Sequence, residues 1–484
     1  MSHVLWLADR LRRDITYVNS HGMLRRETGT GTPRDADSGR GSVVGDEADP
    51  FELRVLTMNV WGLYFLPHVE ARVEALGERL HGYDVIALQE VWHARERDAL
   101  RTAGRQAGLI YAHYFAGGIG FPFWPGSHGT GVLVLSRLPI VDVVWKRFLI
   151  NGKPYKLHHS DYLAGRGVGL LRLSSPTGPI DVFVTHLHAM YVDNPDDDEY
   201  LSHRMGQAFE TAQFIRATAR APLVVVMGDF NCWPNSVSMC MLRSFVSLRD
   251  AWDYCHPTSE SRDAAVEDWS GCTFGTPDNA FSYKEGIKPQ RLDYVMFATL
   301  DQPLSDPRIH WSLRECSLAI EFMDMAAQAA GTSSPPSRIP LSDHWGVKAV
   351  FAGSRKTPAS GAAVGDDRQK WPLDSITTHD HELLQAAMAI CMQGRKEANR
   401  RRSRHHRRTL FALMIFPLLW IIGFRIPIAL AWTPFLVSGY CIAEMLLAQG
   451  VVTDEITSFN EILHQMKHLL KRQSVHSAPA LDAT

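Results

Sequence analysis

Polar residues in this chain gather at the ends of apolar runs. Val55-Leu56-Thr57-Met58 ends at Asn59, and Val85-Ile86-Ala87-Leu88-Gln89 ends at Glu90. Val182-Phe183-Val184-Thr185 ends at His186, and Val224-Val225-Val226-Met227-Gly228 ends at Asp229, with Asn231 two residues on. Arg291-Leu292-Asp293 and Ser342-Asp343-His344 each precede a further apolar run. Taken singly, an Asn after a strand is a turn residue, and a Glu there opens a helix whose N-terminus favours its charge. If the runs are strands of one domain whose ends point the same way, carboxylates, two amides and two histidines face one another on rigid supports.

The elements that must position them follow from the apolar patterning. Strands are expected over residues 53–59, 84–89, 131–136, 168–173, 180–185, 223–227, 292–297 and 344–351, with a helix near 198–219 between two of them. Val69, Val73, Leu76 and Leu80 make one apolar stripe at helical spacing, with charges between. Strands and helices interleave, and several strand pairs read as hairpins. That predicts two packed sheets flanked by helices.

The chain has 484 residues and a net charge of −2, so it carries no global basic field and bulk nucleic-acid binding is not expected. Its seven cysteines lack CxxC or CxxH spacing, which argues against a disulfide framework or a zinc site and fits a reducing compartment. Near the N-terminus an apolar stretch is cut short at Asp9 and Arg10, which suggests a short amphipathic helix rather than a signal peptide. Residues 28–50 read as a flexible linker, within an N-terminal extension (1–50) expected to be partly disordered.

Residues 51–353 are expected to form the main domain, and 354–408 a linker and helix ending in the basic run RKEANRRRSRHHRR at 395–408. Residues 410–424 and 426–443 are two uncharged stretches separated by Arg425. A single span needs about 20 residues, so the pair is expected to form a two-helix transmembrane hairpin over 409–449, turning near 423–427. Lys and Arg on both flanks, with Lys467, Lys471 and Arg472 beyond, place those flanks and the main domain in the cytosol. Residues 450–484 are then a cytosolic tail.

In this order, NVWG (59–62), QEVW (89–92), THLHA (185–189), GDFN (228–231), RLDYV (291–295) and SDHWGV (342–347) resemble the motifs of the endonuclease/exonuclease/phosphatase superfamily. The resemblance covers about residues 52–352 and implies a DNase I-like, four-layer α/β/β/α sandwich. It implies magnesium as cofactor, held by Glu90 with Asn59 beside it; hard oxygen ligands suit that ion. It implies His344 as general base, with Asp293 fixing its tautomer. Asp229 and Asn231 would orient the nucleophile or the phosphate. His186 would bind the phosphate or support the leaving oxygen, and Asp343 would shape the site.

Three features are similar to the neutral sphingomyelinase and inositol phosphosphingolipid phospholipase C branch. In His159-Ser160-Asp161-Tyr162-Leu163-Ala164-Gly165-Arg166-Gly167-Val168-Gly169, Asp161 and a basic residue five positions on match a pair thought to gate that branch's active site. Arg166 stands where the branch usually has Lys, and a guanidinium forks where an ammonium is a point charge. Tyr200-Leu201-Ser202-His203-Arg204 with Gln207 and Ala208 is the second feature, and the membrane hairpin with its basic lead-in is the third.

The resemblance therefore implies a phosphoric diester hydrolase that releases ceramide and a phosphorylated headgroup from a membrane sphingophospholipid. The enzyme would be a multi-pass protein of internal membranes, such as the endoplasmic reticulum, with anionic phospholipid at the basic segment. The rival readings are a membrane-tethered nuclease or phosphoinositide phosphatase of the same fold, and an inactive membrane scaffold. Phe121, Phe123 and Trp124, in a Gly/Pro-rich loop, are a further expected contact with headgroups.

Overall fold

The computed structural model describes residues 51–117, 129–156, 159, 161–192, 194, 197–257, 269–301, 309–324, 338–355, 369–370, 378–423 and 432–476. The expected N-terminal helix and linker, the loop with Phe121, Phe123 and Trp124, and most of the expected hairpin turn lie outside the described residues. Two sheets dominate the fold. The first contains β1 (Phe51–Asn59), β2 (Val85–Gln89), β3 (Tyr111–Tyr114), β4 (Leu133–Ser136), β11 (Ile309–Ala319) and β14 (Gly346–Arg355), ordered β11-β14-β1-β2-β4-β3. The second runs β15-β10-β8-β7-β6-β5, from β5 (Ile140–Arg147), β6 (Gly167–Ser175), β7 (Gly178–His186), β8 (Leu223–Asp229), β10 (Asp293–Asp301) and β15 (Gln369–Lys370), with β9 (Arg249–Asp250) paired to β10. A small hairpin, β12 (Phe322–Asp324) with β13 (Arg338–Pro340), stands apart.

Alternation of side chains along each strand divides the apolar residues between two faces. Leu53, Val55, Ala87 and Ala349 of the first sheet are buried against Leu171, Val182, Val225 and Val295 of the second. The opposite residues of the first sheet, Leu56, Met58, Ile86 and Leu88, meet α1 (Val69–Gly77) and α2 (Ala94–Gln106). Those of the second sheet, including Phe183, Val224, Val226 and Met296, meet α4 (Leu201–Thr218) and α5 (Val237–Val246). This is the expected four-layer sandwich. Two short helices, α3 (Asp161–Ala164) and α6 (Ala251–Cys255), fill loops between strands.

The C-terminal helices are α7 (Thr378–Gly423), α8 (Thr433–Leu446) and α9 (Val452–His476). Leu384, Ala387 and Cys391 of α7 and Phe459, Ile462 and Met466 of α9 are buried in the same core as α4 and α5. Gly394 of α7 permits this approach, because a Cβ there would sit 2.4 Å from Ser202 Oγ and 2.7 Å from Phe459 Cζ. Residues 452–476, expected to be a tail, are thus a packed helix.

Farther along, the apolar ends of α7 and α8 turn outward; Met414 is 68% exposed and Leu436 72% exposed. Among the described residues one continuous helical run, Pro434–Lys471, in which a π-helical turn at Leu447–Val451 joins α8 to α9, is long and apolar enough to cross a membrane. Where the apolar stretches stop, Glu444 meets His405 Nδ1 at 2.5 Å and Arg408 at 3.6 Å.

A buried ionic group joins the C-terminal helices to α4. Arg401 Nη2 donates to Glu455 Oε1 at 2.6 Å, and His203 Nε2 lies 3.3 Å from the same oxygen. Burial alone would raise the Glu455 carboxyl, but His203 and Arg401 hold it at about 2. A folded-state value below the ordinary 4.5 stabilises the fold above that pH, and the contribution is lost as pH falls towards 2. Glu455→Gln should therefore weaken the fold near neutrality and flatten the acid limb of its thermal unfolding midpoint against pH. Phe459→Ala should cost about 3–5 kcal/mol, read in the same unfolding experiment on the full chain.

Candidate active site

Strand direction brings the polar ends together. β1 and β2 run parallel, with Asn59 opposite Gln89, and β7 and β8 run parallel, with His186 opposite Asp229. β10 runs the other way, so its first residue, Asp293, also falls opposite Asp229. β14 is antiparallel to β1, which puts His344, just ahead of it, at the same edge. The loops there are tightly shaped. Glu90, Trp61 and Asn231 take positive φ (61°, 52° and 47°), a conformation that is costly for L residues and concentrated at functional sites. Gly62 is needed because a Cβ would lie 2.4 Å from the Glu90 carbonyl oxygen.

These ends open into a cleft of about 540 Å³. On its floor Asn59 Nδ2 donates to Glu90 Oε1 at 3.2 Å and to Asp229 Oδ2 at 3.0 Å, while Asn59 Oδ1 accepts from Trp61 N–H at 3.0 Å. Asn231 N–H donates to Asp229 Oδ1 at 3.0 Å, and Asn231 Nδ2 donates to the Leu187 carbonyl. His186 Nε2 lies 3.3 Å from Asp229 Oδ2 and 4.0 Å from Glu90 Oε1. Burial alone would raise the Asp229 carboxyl, but the His186 hydrogen bond and the His344 charge hold it well below the ordinary range.

His344 Nδ1 bonds Asp293 Oδ2 at 2.7 Å, and both residues are buried. Burial opposes charge on the His344 ring, yet Asp293 and Asp343 raise its proton affinity well above the ordinary histidine value. Burial lifts Asp343 itself to about 7. Ser342 ties the two sides of the floor, donating to the Asn59 carbonyl at 2.6 Å and accepting from His344 N–H at 3.2 Å. Asp229, Asp293 and His344 offer ligand atoms all within 4.8 Å of one another, an arrangement able to hold a metal ion.

Asp161 and Arg166 close one wall. Arg166 Nε donates to Asp161 Oδ1 at 2.6 Å, Nη1 contacts His186 Nδ1, and the guanidinium lies 5.6 Å from the Trp92 ring centre. Because a guanidinium only donates, Nδ1 of His186 is the acceptor and the ring proton sits on Nε2, facing Asp229. Burial would raise the Asp161 carboxyl, but Arg166 brings it to about 2. Here the fork of arginine reaches both Asp161 and His186, a geometry that a lysine at 166 would not reproduce.

Every candidate site residue named from the sequence thus lines this cleft, except Asp293, which is bonded to His344 on its floor. Other residues at the site were not singled out. Tyr191 donates to Asp161 Oδ2 at 2.6 Å, and His188 Nδ1 lies 3.5 Å from the same oxygen. The Thr273 hydroxyl accepts from Leu292 N–H at 3.0 Å and Asp293 N–H at 3.2 Å. His188 stood inside a quoted motif and was legible there, whereas Thr273 lies in a stretch with no distinguishing pattern.

Set beside known proteins, the chain belongs to the endonuclease/exonuclease/phosphatase family, whose model matches residues 56–344. Within it, sphingomyelin phosphodiesterase 2 of Rattus norvegicus is 35% identical over 255 residues, 51% of this chain and 56% of that protein. A putative neutral sphingomyelinase of Caenorhabditis elegans is 30% identical over 393 residues, 77% of this chain and 79% of its own length. Inositol phosphosphingolipids phospholipase C of Schizosaccharomyces pombe is 30% identical over 269 residues, 53% of this chain and 60% of that protein. The chain spans little more than half the length of the rat relative. The family resemblance carried by the six motifs is borne out.

The Asp161–Arg166 pair is buried, so removing one partner leaves an uncompensated charge. Arg166→Met alone should cost about 3–5 kcal/mol. Arg166→Met with Asp161→Asn should recover most of that, as measured by urea unfolding.

Proposed function

We propose that this protein is a magnesium-dependent phosphodiesterase that hydrolyses the headgroup ester of a sphingophospholipid, giving ceramide and a phosphorylated headgroup. The observation that carries the reading is the mixed lining of the cleft. It holds the His344–Asp293 pair beside Glu90, Asp229 and Asp343, and the apolar Leu63, Phe65, Met190, Val192 and Ile287 line the same cleft together with Lys284 and Lys288. Such a cleft suits a substrate that is charged at one end and apolar at the other. The relatives' names agree with it, two referring to sphingomyelin hydrolysis and one to inositol phosphosphingolipids.

Carboxylates gathered this closely suit a divalent cation, and their oxygens are the hard donors that magnesium prefers. Glu90, with Asn59 beside it, would hold the ion, which would supply charge neutralisation at the phosphate and the leaving oxygen. His344 removes a proton from the attacking water in its neutral form, the state favoured once cation charge offsets the Asp293 and Asp343 carboxylates that raise its proton affinity. Asp293 fixes the ring so that the nitrogen facing the cleft accepts that proton, and it stabilises the imidazolium formed. Asp229 and Asn231 orient the water or phosphate, Asp343 shapes the wall beside His344, and His186 donates from Nε2 towards the phosphate or leaving oxygen. Asp161 and Arg166 gate the cleft through His186.

The outward apolar ends of α7 and α8 would form the membrane hairpin, with the basic run at 395–408 against anionic lipid. The hairpin would hold the domain on the cytosolic face of an internal membrane such as the endoplasmic reticulum. Headgroup release from vesicles carrying phosphocholine- and phosphoinositol-bearing sphingolipids tests the reading. Wild type should act with magnesium and not with EDTA, and His344→Ala should be slower by about 100- to 10,000-fold. Equal rates for the two proteins would sink the mechanism. No release from any sphingolipid would sink the substrate class.

A further inference from the structure

Arg72 of α1 is 1% exposed, and it touches the backbone around the cleft rather than the reacting groups. Its Nε donates to the Pro67 carbonyl at 3.0 Å and its Nη2 to the Trp61 carbonyl at 2.9 Å. Its Nη1 is shared between the Val60 carbonyl at 2.9 Å and the Leu341 carbonyl at 2.8 Å. Arg166, Arg204, Arg291 and Arg401 each pair with a carboxylate. Among the described residues, Arg72 has no such ion pair.

Those four carbonyls belong to two separate stretches of chain. Val60 and Trp61 follow Asn59 directly, and Pro67 closes the same loop. Leu341 comes two residues before Asp343 and three before His344. The guanidinium also faces the rings of Trp61 (5.1 Å) and Phe281 (5.7 Å), which brings a third loop against it. Phe281 neighbours Ser282, which lines the cleft. Asn279, on the same loop, donates to the Ser342 carbonyl at 3.0 Å.

We infer that Arg72 is a positioning residue that sets the separation between the Asn59–Glu90 side of the cleft and its Asp343–His344 side. The physical requirement is specific. A planar guanidinium directs its N–H groups along fixed in-plane directions, so four carbonyl positions are specified at once. An ammonium on a flexible stem specifies none of them in this way. The side chain is closed off from solvent, so the carbonyl dipoles solvate a charge that water cannot reach. The fixed charge also attracts the carboxylates of Asp343 and Glu90. The Ser342 hydroxyl, donating to the Asn59 carbonyl, is a second and weaker tie across the same gap.

This inference rests on the hydrolytic reading above, and its test separates the two. Full-length wild type and Arg72→Lys, in the same detergent micelles, are compared for headgroup release and for the rise in unfolding temperature on adding magnesium. A misplacement of the order of 1 Å costs about 100-fold, so kcat should fall by about that factor with KM little changed. The magnesium concentration giving half of the thermal shift should rise. Phe459→Ala, which disturbs packing far from these loops, should lower the unfolding temperature and leave kcat and the magnesium midpoint alone. Wild-type kcat and midpoint in Arg72→Lys would overturn the inference. If Arg72→Lys does not fold, Ser342→Ala cuts the parallel tie: a smaller loss in both readouts is expected, and no loss in either overturns the inference. Wild type that releases no headgroup counts against the hydrolytic reading, while the magnesium shift still tests Arg72.

Discussion

The site depends on one packing event, the burial of two sheets against each other. Val55, Ala87 and Ala349 on one side and Val182, Val225 and Val295 on the other form a buried apolar layer that fixes the sheets face to face. Neither sheet alone carries the full set of candidate site residues. Asn59, Glu90 and His344 come from the edge of one, and His186, Asp229 and Asp293 from the edge of the other. Apolar burial thus sets the distances between polar groups, and about 25 cal/mol per Å² of area removed from water holds them there.

Much of this was readable from residue order, and the reason is physical. A central strand is covered on both faces, so β2 and β8 are unbroken apolar runs whose ends are easily seen. The first polar residue after such a run is fixed at the sheet edge, which is why Glu90, His186 and Asp229 could be placed. Edge strands gave less signal. β5 and β11 pair on one side only; β5 has no fully buried residue and β11 mixes buried with part-exposed positions irregularly, so their pattern merges with that of loops.

Arg72 was hidden for a related reason. In sequence it is one of the charges between apolar stripe residues on α1, where a solvated face is the ordinary expectation. Its burial arises because loops distant in sequence close over it, and Leu341 is 269 positions away. Likewise α9 is amphipathic in a way that fits a free tail helix equally well; only the matching face of α7 and the notch at Gly394 make it part of the core. Long-range closure of this kind leaves no local trace in the chain.

The return of α9 to the domain has a mechanical consequence. A hydrolase fixed to a bilayer by a single helix and a loose linker can swing, and its cleft samples many heights and tilts above the lipid. Here the chain leaves the domain along α7 and comes back along α9, with Cys391 and Phe459 both buried in the one core. As the membrane anchor proposed above, this pair of helices would behave as a strut with two welded ends. It would remove rotational freedom before any lipid is met, so the ordering entropy would be lost once, at folding, and not at each encounter with a membrane substrate.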